Sequence, residues 1–337
     1  MSKEITIELR DLAIGYPHRV VAEGLSATVY SGELTCLIGS NGVGKSTLLR
    51  TIAAFQPKLG GSILVRGGEI DGYKSRELAQ LISVVLTERI EVGHMTVLDL
   101  VSLGRSLYTG FWGKVDAANE RKALDALRLV GMERFAPRDV GTLSDGERQK
   151  VMIAKALAQE TPIILLDEPT SFLDFPSKVD MMQLLHRLSR ETHKTIFLSI
   201  HDLEMALQIA DKIWLLDDEK RLHIGTPEDL SLDGTLSDFF ERRDIVFDRL
   251  RGLFRIENPH TRTIRISTPT HRLLPLYHMV VKALRRNAIL ATPEAESADA
   301  IELSDEGLLL KTADGRNHHP TTIEELLDLL TRDEHHG

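Results

Sequence analysis

The chain of 337 residues is 42% apolar and 27% charged, which excludes a disordered or fibrous protein and leaves room for two compact domains. Its 41 lysine and arginine residues are outnumbered by 50 aspartate and glutamate residues, and the net charge of -9 argues against nucleic acid as a partner. The single cysteine, Cys36, excludes an internal disulfide framework and any metal site built from several cysteines.

The hydropathy pattern predicts neither a secretory leader nor a membrane-spanning helix. Residues 1–5 lack the basic and then apolar pattern of a signal peptide. The longest apolar runs, such as residues 163–166, are strand-sized and far short of the roughly 20 residues that a membrane helix requires. We therefore expect a cytosolic protein that touches a membrane only through a partner.

The first 50 residues predict strands followed by a loop and a helix. Residues 5–9 alternate with period two, and residues 24–32 form a second extended segment, so we expect an N-terminal antiparallel β region. Residues 34–38 are a nearly continuous apolar run, typical of a strand that is buried on both faces of a parallel sheet. A glycine-rich loop and a helix over residues 47–52 follow.

Strands and helices alternate through the middle of the chain, which predicts a three-layer α/β core. Residues 97–130 have a helical pattern that is interrupted at residues 110–113. The other elements predicted here are a helix from Ser144 to about residue 159, helices over 179–192 and 203–210, and strands over 162–166 and 195–200.

The pattern changes beyond about residue 243, where short strands and helices predict a separate α+β module. A hairpin is predicted from strands over residues 253–257 and 263–267, with its turn at residues 258–260. The remaining elements are a helix over 273–288, strands around Ile301 and Leu309, and a capped helix from Pro320 to about residue 330.

Residues 39–46, GSNGVGKS, fit the pattern G-x-x-x-x-G-K-[ST] and lie between a predicted strand and a predicted helix. Glycines let successive backbone N–H groups surround phosphate oxygens, and the helix N-terminus adds a positive dipole. Lys45 is expected to bridge the β- and γ-phosphates, and Ser46 to hold Mg²⁺ through its hydroxyl. The predicted nucleotide-binding residues of this loop are Gly39, Ser40, Asn41, Gly42, Val43, Gly44, Lys45, Ser46 and Thr47.

Two carboxylates follow the predicted buried strand at residues 163–166. Ligands of parallel sheets bind at the carboxyl ends of the strands, so Asp167 is expected to reach the Mg²⁺ site. Glu168 would then point at water and polarise the attacking molecule. A strand that ends in two acids is weak evidence alone, but together with the glycine-rich loop it predicts nucleotide hydrolysis.

A third motif, LSDGE at residues 143–147, opens a helix between the other two. In this order, with residues 167–170 and a later His201, the motifs resemble the ATP-binding cassette (ABC) family over residues 1 to about 240. The resemblance implies a RecA-like P-loop core, and a homodimer in which Ser144 and Gly146 contact the γ-phosphate of ATP held by the other subunit. The predicted signature residues are Leu143, Ser144, Asp145, Gly146 and Glu147, where the family usually has glycine at position 145 and glutamine at position 147.

The same resemblance implies roles for four further residues. Tyr16 stands where the family places an aromatic ring that stacks on adenine, and His201 matches a histidine that contacts the γ-phosphate and the lytic water. Asp174 lies in the loop through which the family couples its two active sites. Thr87 replaces a glutamine that touches Mg²⁺ or water and signals to the membrane subunits. Because threonine is shorter, we expect any metal contact of Thr87 to pass through water.

Residues 96–105, followed by Tyr108-Thr109-Gly110, resemble ATPases that import iron–siderophore, haem or cobalamin. The resemblance implies an ATP-hydrolysing subunit that uses ATP and Mg²⁺ to power a membrane importer. It further implies two integral-membrane permease subunits as partners and an indirect link to a substrate-binding protein, with no nucleic acid. The subunit would lie on the cytoplasmic side of the inner membrane as a peripheral protein.

These expectations divide the chain into an ABC ATP-binding domain, residues 1–240, with a helical subdomain at about 88–160, and an accessory α+β module, residues 243–337. Two alternatives stay open: a soluble ABC-class ATPase of cluster assembly, repair or translation, and a ligand-sensing regulator that acts through the module. A module that only packs or stabilises the dimer is the simpler interpretation, because fold alone does not imply function.

Overall fold

The computed structural model describes residues 4–86, 94–108, 116–241, 245–248, 253–256 and 259–332. Its strands, in chain order, are β1 (Ile5–Tyr16), β2 (Arg19–Tyr30), β3 (Leu34–Gly39), β4 (Gly60–Val65), β5 (Gly68–Glu69), β6 (Ile82–Val85), β7 (Ile163–Asp167), β8 (Thr195–Ser199), β9 (Lys212–Leu216), β10 (Leu222–Gly225), β11 (Ile245–Asp248), β12 (Leu253–Ile256), β13 (Arg262–Ile266), β14 (Ile289–Thr292), β15 (Ala300–Ser304), β16 (Gly307–Lys311) and β17 (Asn317–His318). Its α-helices are α1 (Lys45–Ile52), α2 (Ser75–Leu81), α3 (Val97–Ser102), α4 (Ala117–Leu129), α5 (Asp145–Ala158), α6 (Phe175–Thr192), α7 (Leu203–Ile209), α8 (Pro227–Leu232), α9 (Thr235–Glu241), α10 (Leu274–Arg286) and α11 (Ile323–Arg332). Across these ranges, no helix has the length and apolar character needed to span a bilayer.

The chain divides into two compact units, Met1–Phe239 with Arg249–Leu253, and Phe240–Asp248 with Phe254–Gly337. The first unit holds a six-stranded sheet with the order β10-β9-β3-β8-β7-β6. In it β3 and β6 to β9 run parallel, and β10 runs antiparallel to β9. The predicted α/β class is confirmed.

The centre of this sheet is apolar because it is covered on both faces. All five residues of β7 and all five of β8 are buried, and such strands have continuous apolar runs rather than alternation. One face of the six-stranded sheet packs on the apolar side of α1. The same core includes an antiparallel sheet with the order β2-β1-β4-β5. Phe197 and Trp214 meet edge to face in this core, with 4.9 Å between their ring centroids.

Helices α3, α4 and α5 pack on one another in the same unit, and a buried arginine joins their ends. Arg105 lies in a 3₁₀ turn, Leu103–Tyr108, and is 3% exposed. Its guanidinium donates to Oδ1 of Asn119 at 2.9 Å, to the carbonyl of Ala158 at 2.6 Å and to Oε2 of Glu160 at 2.8 Å. The turn is therefore tied to the C-terminal end of α5 and to the first turn of α4.

The second unit contains a five-stranded sheet with the order β14-β13-β15-β16-β17. β14, β13 and β15 run parallel, and β15 to β17 form antiparallel pairs. Helices α10 and α11 share an apolar core with this sheet, to which Ile264, Leu284, Ile301, Leu310 and Leu326 contribute.

The hairpin predicted around residues 258–260 is wrong. β12 pairs with β11, whereas β13 pairs in parallel with β14 and β15. Alternation of apolar and polar residues specifies a strand but not its neighbour. The helix between β13 and β14 can bury its apolar side only as a crossover that packs back on a sheet shared by both strands. The sequence pattern also missed β14, a strand of four residues that follows this helix.

Gly104 is the position at which we expect a single methyl group to disturb the helical part of the first unit. A Cβ at Gly104 would lie 2.2 Å from the backbone oxygen of Lys155 in α5. Because helix backbone cannot give way as a side chain does, Gly104→Ala should lower the free energy of unfolding by about 1–3 kcal/mol. Urea unfolding followed by circular dichroism measures the change. Gly72→Ala is the matched control, since its Cβ has no atom within 4 Å, and equal stability of both variants would contradict the prediction.

Candidate functional site

The loop between β3 and α1 has the backbone of a phosphate-binding loop. Gly42 and Gly44 have φ angles of 77° and 123°, in the left-handed region that favours glycine. A Cβ at Gly44 would also lie 2.6 Å from Cγ1 of Val21. The loop leads into the N-terminus of α1, where backbone N–H groups without helical partners and the helix dipole favour an anion.

Lys45 carries a positive charge that is already anchored in this loop. Its Nζ donates to the carbonyl of Gly39 at 2.9 Å and to that of Ser40 at 3.1 Å. Lys45 is buried, and burial lowers the pKa of its ammonium group, while the nearby carboxylates of Glu168 and Asp167 oppose that shift. The ammonium group of Lys45 is therefore close enough to the carboxylates of Glu168 and Asp167 to interact with their charges.

The turn between β9 and β10 contacts the loop at two points. Ser40 donates its hydroxyl to the carboxylate of Asp218, and Nζ of Lys220 donates to the carbonyl of Val43 at 3.1 Å. The turn reaches the loop because β9 pairs with β3 in parallel, so that both strands end at the same edge. No sequence motif marks these turn residues, and only the strand pairing reveals them.

Asp167, at the end of β7, lies beside Ser46 of α1. The hydroxyls of Ser46 and Ser199 both donate to Oδ1 of Asp167, at 3.3 Å and 2.7 Å. A hydroxyl and a carboxylate oxygen are ligands that Mg²⁺ takes in nucleotide sites, so Ser46 and Asp167 fit the predicted metal. Thr87, the third residue predicted to contact it, lies outside the described residues. Over the described ranges, no three His, Cys, Asp or Glu side chains form a metal site by themselves.

Glu168 is held at its backbone and at both carboxylate oxygens. It has a φ of 47°, in the left-handed region, and its N–H donates to Oγ of Ser199 at 2.9 Å. Ser171 donates its hydroxyl to Oε2 at 3.0 Å, and Nε2 of His201 contacts Oε1. The side chains of Glu168 and His201 are 24% and 44% exposed, so both remain accessible to a ligand.

One cleft of about 530 Å³, a volume typical of ligand sites, brings the predicted catalytic residues and the loop residues together. The predicted residues that line it are Tyr16, Asn41, Gly42, Gly44, Lys45, Ser46, Thr47, Glu168 and His201. Gly39, Ser40, Val43 and Asp167 support these through the hydrogen bonds described above. Two cationic residues that the sequence did not predict, Arg19 and Lys220, also line the cleft.

The signature residues do not line this cleft, and they form the capped start of α5. Oγ of Ser144 accepts from the N–H of Glu147 at 3.3 Å, while the carboxylate of Glu147 accepts from the Ser144 N–H at 2.9 Å and from its hydroxyl at 3.0 Å. This is a capping box, and its hydrogen bonds, chiefly that from the Ser144 N–H, lower the pKa of Glu147. Leu143 is buried beneath the start of the helix.

Asp174 caps α6, next to the signature. Its Oδ1 accepts from the N–H of Ser177 at 3.0 Å, and hydrogen bonds from Ser177 lower the pKa of Asp174. This cap places the start of α6 at Phe175, four residues before the predicted start. Phe172 and Phe175 are 73% and 70% exposed beside the cap. A Cβ at Gly146 would lie 3.7 Å from Oγ of Ser177, so the signature and the Asp174 loop adjoin.

Comparison with known sequences identifies relatives of this chain. Residues 22–171 match the family model described as ABC transporter. The chain is 38% identical over 252 residues to the uncharacterized ABC transporter ATP-binding protein MJ0873 of Methanocaldococcus jannaschii, covering 75% of this chain and 87% of that protein. It is 34% identical to the ferric enterobactin transport ATP-binding protein FepC of Escherichia coli and 34% identical to the iron(3+)-hydroxamate import ATP-binding protein FhuC of Bacillus subtilis. Each of these two alignments covers 70% of this chain and 88% of the relative.

Solved structures with the same fold are also ABC proteins. The dimeric structure of MJ0796, a bacterial ABC transporter cassette, superimposes with a TM-score of 0.57 at 27% identity, over 66% of this chain and 98% of that one. cbiO1 from Clostridium perfringens, part of the ABC transporter complex cbiONQ, gives a TM-score of 0.62 at 26% identity, over 72% of this chain and 96% of that one.

Proposed function

The chain belongs to the ABC transporter family of ATP-binding subunits, and we propose that its ATP hydrolysis powers the import of iron(III)–siderophore chelates through a membrane permease. The observation that carries the ATPase site is the single cleft onto which Lys45, Ser46, Glu168 and His201 converge. The iron(III) chelate is supported by relatives named for ferric enterobactin transport and for iron(3+)-hydroxamate import.

ATP binding uses groups that are in place before the nucleotide arrives. Tyr16 lines the cleft and is half exposed, so its ring is available to stack on adenine. The N–H groups of the loop and the ammonium group of Lys45 hold the phosphates. Ser46 and Asp167 would hold Mg²⁺, which neutralises phosphate charge when it is bound.

Hydrolysis requires a base for the attacking water, and Glu168 is placed to supply it. Its carboxylate is fixed by Ser171 on one oxygen and by His201 on the other, so that it is oriented without ligand. A carboxylate in this position would polarise water and accept its proton as the water oxygen bonds to the γ-phosphorus. The bond between that phosphorus and the bridging oxygen of the β-phosphate breaks in the same step, and ADP leaves. His201, exposed in the same cleft, would contact the γ-phosphate.

A second copy of the chain completes each site in our proposal. Ser144 and Gly146 lie at a helix N-terminus that suits an anion, yet no residue of 143–147 lines the cleft of its own chain. Two copies that face each other head to tail would place each signature on the other's ATP, in a closed twofold pair. Asp174, next to the signature, would couple the two ATP sites of the dimer. A related cassette has been solved as a dimer.

The permease would bind an apolar cleft on the first unit. A cleft of about 630 Å³ is lined by Phe55, Ile70, Tyr73, Leu78 and other residues near β6. The side chain of Phe55 is 60% exposed at its edge, and exposed apolar patches of this kind mark protein contacts. The cleft includes Val84, which is three residues before Thr87 in the sequence. We propose Thr87 as the coupling residue and as a metal contact that passes through water.

The same proposal assigns the position and the parts of the chain. Two permease subunits and, through them, a substrate-binding protein would be the partners, with the chain peripheral on the cytoplasmic side of the inner membrane. Residues 1–240 would form the ATP-binding domain, with its helical subdomain at about 88–160. Residues 243–337 would be an accessory module that packs on or stabilises the dimer.

Replacing the base tests the assignment of catalysis. Glu168→Gln keeps the shape of the side chain but removes its basicity, so ATP turnover should fall about 10²- to 10⁴-fold. ATP binding should be retained and an ATP-bound dimer should accumulate, because hydrolysis no longer releases it. Phosphate release and gel filtration measure both effects. Glu191→Gln, at an exposed position of α6, is the control, and turnover of Glu168→Gln at the wild-type rate would move the role to His201.

Mixed dimers test whether each site is shared between two copies. Lys45→Ala disables the loop, and Ser144→Arg blocks the signature with a bulky cation. In a mixed dimer both defects fall in one composite site and the other site is intact. We expect each variant alone to be inactive and the mixture to regain part of the ATPase activity or of the ATP-induced dimer. The shared site is refuted if Glu168→Gln shows no ATP-dependent association even with its permease.

Uptake by cells tests the cargo and the permease contact together. Cells that lack this chain should fail to accumulate ⁵⁵Fe from an iron(III)–siderophore chelate and should recover with the wild-type chain. Lys45→Ala should restore neither import nor ATPase activity, whereas Phe55→Ser should keep the ATPase activity of the isolated protein and lose import, because only its apolar contact is removed. Rescue of haem or cobalamin uptake, with iron chelate uptake unaffected, would overturn the cargo and leave the ATPase assignment intact.

A further inference from the structure

Ser199 is a fully buried polar residue at the end of β8. Within the described part of the chain, its hydroxyl forms hydrogen bonds with Asp167 and Glu168 only. Its Oγ donates to Oδ1 of Asp167 at 2.7 Å and accepts from the N–H of Glu168 at 2.9 Å. β8 is otherwise buried among β3 and β7, and Ser199 is 0% exposed. A buried hydroxyl needs hydrogen-bond partners, and both partners of this one belong to the proposed catalytic acids, Asp167 and Glu168.

The register of the sheet explains this placement. β7 and β8 are parallel, and Asp167 pairs directly with Ser199. Ser46 reaches the same Oδ1 of Asp167 from α1 at the longer distance of 3.3 Å, so of these two hydroxyls Ser199 makes the shorter hydrogen bond. The contact with the Glu168 N–H secures a residue whose φ of 47° is unusual for a side chain other than glycine.

We propose that Ser199 is a positioning residue that sets the metal-binding carboxylate of Asp167 and the backbone of Glu168 in one fixed relation. The inference rests on the proposed ATPase function of these two acids. Hydrogen-bond partners behind a metal ligand hold its orientation, and their loss weakens metal binding as well as activity. A serine that merely satisfied its own hydroxyl would affect stability and leave metal affinity unchanged.

The experiment compares three variants of the full chain. Ser199→Ala removes both hydrogen bonds, and Ser199→Thr keeps the hydroxyl. Ser189→Ala is the matched control, because Ser189 is also 0% exposed and its hydroxyl donates to a backbone carbonyl of α6, that of His186, at 2.7 Å. The measurements are the dissociation constant of Mn²⁺ in the presence of ADP, by electron paramagnetic resonance of the free ion, and kcat and KM for ATP.

For Ser199→Ala we expect Mn²⁺ affinity to fall about 10-fold and kcat to fall about 10- to 100-fold, with KM for ATP changed less than about twofold. Ser199→Thr should recover most of both quantities. Ser189→Ala should lose stability and keep wild-type Mn²⁺ affinity and kcat. Wild-type Mn²⁺ affinity in Ser199→Ala, or an equal loss in Ser189→Ala, would overturn the proposal.

The proposed ATPase function and the proposed role of Ser199 can be refuted separately. If the wild-type chain binds Mn²⁺ with ADP but does not hydrolyse ATP, the proposed function is wrong, while the Mn²⁺ titration still decides the role of Ser199. If the wild-type chain does not bind Mn²⁺ with ADP, the metal assignment to Asp167 is wrong and the role of Ser199 falls with it. Should Ser199→Ala not fold, Ser199→Cys keeps the size of the side chain with a weaker hydrogen-bonding group, and it should show a smaller loss of Mn²⁺ affinity in the same direction.

Discussion

Parallel pairing of β3, β8 and β7 is the constraint on which the site depends. Because their carboxyl ends meet at one edge, the phosphate-binding loop after β3, the two acids at the end of β7 and His201 after β8 come together although they are far apart in sequence. The register matters because Asp167 is buried beside Ser199, and a slip by one residue would separate its carboxylate from the Ser46 and Ser199 hydroxyls that hydrogen-bond to it. The chemistry at the edge is thus held by the apolar packing of the strands.

Motifs that are local in sequence were predictable, and contacts made by pairing were not. The loop at residues 39–46 and the acids Asp167 and Glu168 can be found from the sequence because each motif specifies its own backbone and chemistry. Ser199 and Lys220 carry no motif, and they reach the site only because β8 and β9 lie beside β7 and β3. The mistaken hairpin in the second unit has the same cause: strand patterns were visible, whereas the crossover that sets their partners was not.

One of the two acids in the signature, Glu147, has a local structural explanation. Glu147, where the related family usually has glutamine, accepts two hydrogen bonds from Ser144, and together they cap α5. Its negative charge lies at the positive end of the helix dipole, which stabilises the helix start. The same contact occupies the hydroxyl of Ser144, so an arriving phosphate has to compete with a carboxylate for that donor. In the proposed dimer, binding of a second copy's nucleotide would thereby be less favourable than with a neutral side chain at position 147.

In the proposed reaction cycle, the competition for the Ser144 hydroxyl would affect the association of two copies, whereas the placement of Glu168 would affect hydrolysis. Glu168 is oriented within one chain, by Ser171, His201 and Ser199, so the proposed base is in position before a second copy binds. The signature, in contrast, lies outside the cleft of its own chain, and in the proposed dimer Glu147 would weaken the association that brings the signature to a nucleotide. A site with its base already oriented, but with an unfavourable association of the two copies, would hydrolyse ATP only when another protein favours that association. In this proposal a permease that binds both copies supplies the assistance, which links ATP use to the presence of the transporter.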